Sequence, residues 1–213
     1  AGAMLQRAAE TAPRDTAVLA AYERVARAAE NPAMLLDALD RAAAGPAATM
    51  DLIREAVELA TAANDGARVE TLLGLAVTLG EANAGGLGEA VWALIALADR
   101  REAAGDFPAA TAHLTRAIEA AEHDDALRFA ARAAELASVR LSDPDLAASV
   151  YEKLLERDRH DREVWLPLLE IHRRSGDRDA LELKLHEAIE CAFDVTWRIQ
   201  LRRERAGLLL ESR

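Results

Sequence analysis

The chain has 213 residues and a net charge of −11, from 26 basic and 37 acidic side chains. Apolar residues make up 51% of it and aromatics only 4%; much of the apolar share is alanine, the strongest helix former. An acidic balance argues against nucleic acid, whose capture needs clustered Lys and Arg, and no apolar run approaches the roughly 20 residues that insert into a bilayer.

The elements follow in chain order. Residues 1–15 predict a lone helix closed by Pro13, after an Ala1-Gly2-Ala3 opening that reads as an expression scar. Leu19, Tyr22, Glu23 and Ala26 then share one helical face. Asn31-Pro32 opens the next helix, with Leu35, Leu39 and Ala42 inward. A cap followed by proline at the first helical position costs no hydrogen bond, because that N–H has no partner in any case. Ile53, Ala56, Val57 and Ala60 form a further face, and Asp65 caps a helix that turns Val69, Leu73 and Ala76 inward. Gly74 lies inside that helix at about 1 kcal/mol relative to alanine. Gly85-Gly86 and Gly88 lengthen the following join, as a hinge or as an insertion.

Leu94, Leu97, Ala98 and Arg101 lead to the turn Gly105-Asp106-Phe107, after which Ala110, Leu114, Ala117 and Ile118 face inward. His123-Asp124 belongs to a slightly long loop. In the next helix Ala131, Ala134, Glu135 and Ser138 are the expected inner residues. A slip of one residue substitutes Ala130, Ala133, Ala134 and Ala137, and the sequence leaves both registers open. Asp143-Pro144 opens a helix packed through Ala147, Tyr151 and Leu154. Asp161 caps another that buries Trp165, Leu168, Leu169 and His172, with Pro167 past its first turn. After Ser175-Gly176-Asp177 come Leu181, Leu185, Ala188 and Ile189. Asp194 caps a last helix running from Thr196 to Glu211. No segment alternates with period two, so the expectation is twelve helices and no sheet.

The caps at Asp143 and Asp177 stand 34 residues apart (177 − 143). The unit opened by Asp161 carries a large residue early in its first helix (Trp165), an aliphatic and a small residue a turn later, glycine in the turn (Gly176) and a small residue late in the second helix (Ala188). This pattern resembles the tetratricopeptide repeat family, whose period is 34 residues. The resemblance covers nearly the whole chain as a single array, with units at 16–49, 50–86, 87–124, 125–161 and 162–195 and half-units at 1–15 and 196–213. It implies an all-α, right-handed α–α superhelix in which antiparallel helix pairs stack because none can bury its apolar face alone.

No catalytic constellation emerges. The histidines (His113, His123, His160, His172 and His186) form no His-Glu-x-x-His motif, and His123-Asp124-Asp125 reads as a solvated turn rather than a metal site. Gly85-Gly86-Leu87-Gly88 lacks the strand and the Lys-Ser/Thr of a phosphate loop. Cys191, the only cysteine, reads as a small core residue, forms no intrachain disulfide and fits a reducing, cytoplasmic compartment. No enzyme, cofactor or metal is expected.

The family resemblance implies that the first helix of each pair lines a concave, peptide-holding face. On the alignment above that face collects Trp92, Ile95 and Asp99, then Phe129, Arg132 and Leu136, then Leu166, Glu170 and Arg173, and finally Trp197, Gln200 and Glu204. In a register displaced by one, Trp92 and Phe129 pack between helices instead. The Lys/Asn/Arg clamp by which chaperone-binding family members hold a terminal carboxylate is not reproduced. Its nearest places carry Ala20, Arg24, Arg54, Glu58, Ile95 and Asp99. The expected function is a scaffold or adaptor that binds a partner protein's peptide or helix. The alternatives are self-assembly into a homo-oligomer through the half-units, where Ile199, Leu208 and Leu209 form an apolar face, or a regulatory array in a larger protein.

Overall fold

The structure, a computed structural model, describes residues 2–83 and 86–211. Among these residues there are twelve α-helices and no strand. They are α1 (Gly2–Thr11), α2 (Thr16–Ala28), α3 (Pro32–Ala43), α4 (Met50–Ala62), α5 (Gly66–Ala82), α6 (Val91–Ala103), α7 (Phe107–Ala120), α8 (His123–Glu135), α9 (Pro144–Arg157), α10 (Arg162–Ser175), α11 (Arg178–Cys191) and α12 (Val195–Glu211). The fold class is therefore all-α, as the periodicity predicts. The chain forms two compact units, Ala1–Leu97 and Ala98–Arg213, which divide within α6.

The helix starts are fixed locally. The carboxylates of Asp65, Asp106, Asp143, Asp161 and Asp177 and the amide of Asn31 each accept a backbone N–H from the helix they open. Asp194 likewise accepts from the Trp197 N–H. Five of these caps follow a residue with positive φ: Glu30, Asn64, Gly105, Ser142 and Gly176. This left-handed residue ends one helix, and the Asx side chain begins the next. The turn within each hairpin is thus one device used five times, though only two of the five left-handed positions carry glycine.

In the first unit each helix from α1 to α5 packs on the next, and α3 also meets α5. Its N-terminal core comprises Ala9, Leu19, Tyr22, Ala26 and Ala38. The Tyr22 hydroxyl donates to Asp37 Oδ2 at 2.9 Å, and Arg41 Nε reaches the same oxygen at 3.0 Å. Of the glycine-rich join, Gly85 lies outside the described residues, whereas Gly86–Ala90 is a 3-10 turn packed on α5. Gly80 makes that packing possible, since a Cβ there would stand 2.8 Å from Ala90 Cβ and 3.4 Å from the Gly86 carbonyl oxygen.

In the second unit α7 to α12 again pack in succession, and α7 also meets α9. The open register of α8 resolves to the slipped one. Ala130, Ala133, Ala134 and Ala137 are buried, while Ala131, Glu135 and Ser138 are exposed. This rotation leaves the Glu135 carboxylate in water and takes Leu136 out of it, which is favourable on both counts. The helix then widens into a π-helical turn, Leu136–Arg140, in which Leu141 N–H reaches the Leu136 carbonyl at 3.1 Å. The chain leaves it through Ser142, at φ 54°.

Candidate functional site

An open groove of about 730 Å³ lies in the second unit. One wall is the end of α8 with its π turn (Ala134, Glu135, Ser138 and Val139), and the other is α10 (Pro167, Glu170, Ile171, Arg174 and Ser175). Tyr151 of α9 lines it between them, with Ser142 and Pro144 at the hairpin end. Val139 is 66% exposed because the π turn carries it outward, leaving a β-branched apolar side chain facing water. The Tyr151 side chain is mostly buried, and its hydroxyl makes no hydrogen bond among the described residues. Burial raises its pKa above the ordinary phenol value, so the hydroxyl stays protonated.

The charges on the rim are unequal. Glu170 accepts from Arg174 Nε at 2.9 Å and from Arg173 Nη1 at 3.3 Å. Those two guanidiniums, Arg174 foremost, hold its carboxyl below the usual range. Glu135 has no ion pair or hydrogen bond among the described residues. Chemically the groove offers an apolar lining, hydroxyls without a hydrogen-bond partner among the described residues (Tyr151, Ser138 and Ser142) and one unneutralised carboxylate.

Of the residues expected to form a concave face, Glu170 alone among those described lines this groove. Leu136 and Trp197 are corrected, being 5% and 4% exposed and hence part of the core. Leu136 turns inward with the slipped register. Trp197 stands four residues before Leu201, also buried, and its helix packs on α11. The Arg162 guanidinium covers the Trp197 ring at 5.5 Å from the centroid.

Trp92 and Ile95 belong to the first unit. Trp92 is half-buried under Arg54, 4.9 Å from its centroid, and its indole N–H is buried without a partner among the described residues. The other expected residues belong to the second unit. Phe129 is half-buried and Leu166 exposed.

The charged members face their own neighbours. Arg132 bonds Asp99 at 2.6 Å and Glu102 at 2.5 Å. Burial works against its charge, but these two carboxylates outweigh that and raise its pKa. Arg173 bonds Glu204 at 2.7 and 2.9 Å, which raises its pKa likewise. These arginines tie α8 to α6 and α10 to α12.

The sequence reading missed Val139, Ile171 and Tyr151 as groove residues. Tyr151 was read correctly as packing, yet one side of it also lines the groove. An available signal was Val139-Arg140-Leu141, where an exposed apolar residue follows an alanine face just before a capped proline.

Elsewhere, an open pocket of about 300 Å³ beside Trp165 is lined by Lys184, which bonds Glu152 at 2.7 Å and Glu187 at 3.0 Å. Among the described residues no group of three or more His, Cys, Asp or Glu side chains is placed to hold a metal. No described helix is long and apolar enough to cross a membrane.

No family model matches the chain, and no curated protein matches it. Among solved structures it is similar to the crystal structure of the yeast Tom70, at 16% identity and a TM-score of 0.37. That match covers 98% of this chain but only 42% of the Tom70 chain. A likeness this distant establishes neither a family nor a shared function. What the coordinates themselves define is a class: an all-α chain of capped helix hairpins packed in succession within each unit.

Proposed function

We propose that this chain is a protein-interaction module that holds a peptide segment of a partner between α8 and α10. The observation that carries the reading is the groove itself. Its volume falls within the roughly 300–1,000 Å³ of ligand pockets, enough for a few side chains rather than a folded domain. Val139, Ile171, Pro144 and Pro167 offer apolar contact, and Tyr151 offers an unpaired hydroxyl to a peptide backbone. Affinity in such a site comes from a few well-buried anchors.

A random peptide library displayed on phage, panned on the chain, tests this. Peptides recovered on the native chain should lose at least about tenfold in affinity, some 1.4 kcal/mol, on Val139→Glu and Ile171→Glu variants with unchanged thermal melts. Equal binding to all three proteins would refute the groove as the site.

Self-association is a second reading, favoured by the outward side of α12, where Ile199, Leu209 and Leu210 are exposed, Leu210 by 73%. Leu208, expected on that face, is half-buried. Sedimentation should then give a concentration-dependent dimer that Leu210→Glu abolishes; a monomer at every concentration removes this reading.

A further inference from the structure

We infer that the α8–α10 groove selects peptides with a basic side chain, which Glu135 receives beside the apolar anchors. This rests on the peptide-binding reading above. The charged side chains lining the groove are Glu135, Glu170 and Arg174. Glu170 and Arg174 neutralise one another, and the second Glu170 oxygen is taken by Arg173. Glu135 remains, an exposed carboxylate at the end of α8 with no cation within bonding distance among the described residues.

An occupant seated on Val139 and Tyr151 removes water from that carboxylate. Desolvating it unpaired is costly, whereas an ammonium or guanidinium from the peptide turns the same contact into a charge-assisted hydrogen bond. An acidic peptide is repelled, and a purely apolar one leaves Glu135 stripped of water without compensation. Complementarity therefore sets the occupant's chemistry: apolar residues for the lining and one Lys or Arg at the α8 rim.

The experiment is a parallel selection from a random phage-displayed peptide library on the native chain, Glu135→Lys and Val139→Glu, each confirmed folded by circular dichroism. Peptides from the native chain should share apolar residues and a Lys or Arg at one fixed place. Replacing that residue by norleucine in the synthetic peptide should weaken binding by about three- to tenfold, measured by fluorescence polarisation, and salt should narrow the gap. Glu135→Lys should instead recover Asp or Glu at the same place. If native and Glu135→Lys proteins select alike while Val139→Glu abolishes capture, the basic-residue inference fails and the groove reading stands. If Val139→Glu captures the same peptides, or the native chain captures none, both fail.

Discussion

Trp197→Ala separates two incompatible accounts of the C-terminal helix. As a concave-face anchor, Trp197 could be truncated without loss of stability; as a core residue it could not. With 4% of the residue exposed, nearly all of its side chain leaves water on folding. An aromatic of this size buries roughly 150–250 Å², which at about 25 cal/mol/Å² is about 4–6 kcal/mol. A compact unfolded state lowers that by some 10–40%. The result agrees with the roughly 3–5 kcal/mol measured when buried Trp or Phe is cut to Ala.

The assay is urea denaturation followed by circular dichroism, with amide hydrogen exchange to locate the loss. α12 packs on α11 at the end of the described chain, so the deficit should appear first as faster exchange in α12 and then as an earlier midpoint. Ile199→Ala, at an exposed position of the same helix, is the control and should change stability by under about 0.5 kcal/mol. An unchanged midpoint together with unchanged α12 exchange in Trp197→Ala would refute the core placement.

Four further perturbations follow from local geometry. Burial, then the hydrogen bond to Asp37, pushes the Tyr22 pKa up to about 12 from 10.0. Its contribution is complete below pH 10 and is lost as pH rises toward 12. The unfolding free energy from denaturant titrations should therefore fall across that window by up to about 1.4 kcal/mol per pH unit, and Tyr22→Phe should remove this component. Gly80→Ala should destabilise by about 1–3 kcal/mol through its clash with Ala90. Gly74→Ala, with nothing within 4 Å of the added Cβ, should stabilise by about 0.5–1 kcal/mol in the same melts. Glu30→Gly should raise stability by about 1 kcal/mol by relieving a left-handed side-chain-bearing residue (φ 50°); a lower midpoint would show that the Glu30 side chain compensates its own strain.

The helices were legible in the sequence because their signals are local. Asn31-Pro32, Asp106-Phe107-Pro108 and Asp143-Pro144 carry cap and stop within a few residues, and the 3.6-residue spacing of Leu181, Leu185 and Ala188 needs no knowledge of a partner helix. The register of α8 was not legible, because alanine occupies both candidate faces and a methyl group carries almost no size signal. Tertiary burial of Leu136 decided it. The π turn and the left-handed Glu30 and Ser142 escaped notice for a related reason. Glycine marks such positions when it is present, as at Gly105 and Gly176, whereas the exposed Glu30, Asn64 and Ser142 carry no such mark.

The inner-face charges show why a site is harder to read than a fold. Arg27 bonds Glu55, Arg132 bonds Glu102 and Arg173 bonds Glu204, partners separated by 28, 30 and 31 residues. Each pair spans about one repeat, joining the first helix of one hairpin to that of an adjacent one. Read singly, Arg132 and Arg173 look like free cations awaiting a partner's carboxylate; read one repeat away, each already has its own. An arginine so engaged can recognise a ligand only by giving up a charge-assisted bond; what the structure shows these residues doing is tying helices together. The peptide-binding reading proposed above therefore looks to groups with no counterpart a repeat away. In the α8–α10 groove the carboxylate of Glu135, the hydroxyl of Tyr151 and the exposed methyls of Val139 have no such counterpart among the described residues, and the proposed peptide site rests on them.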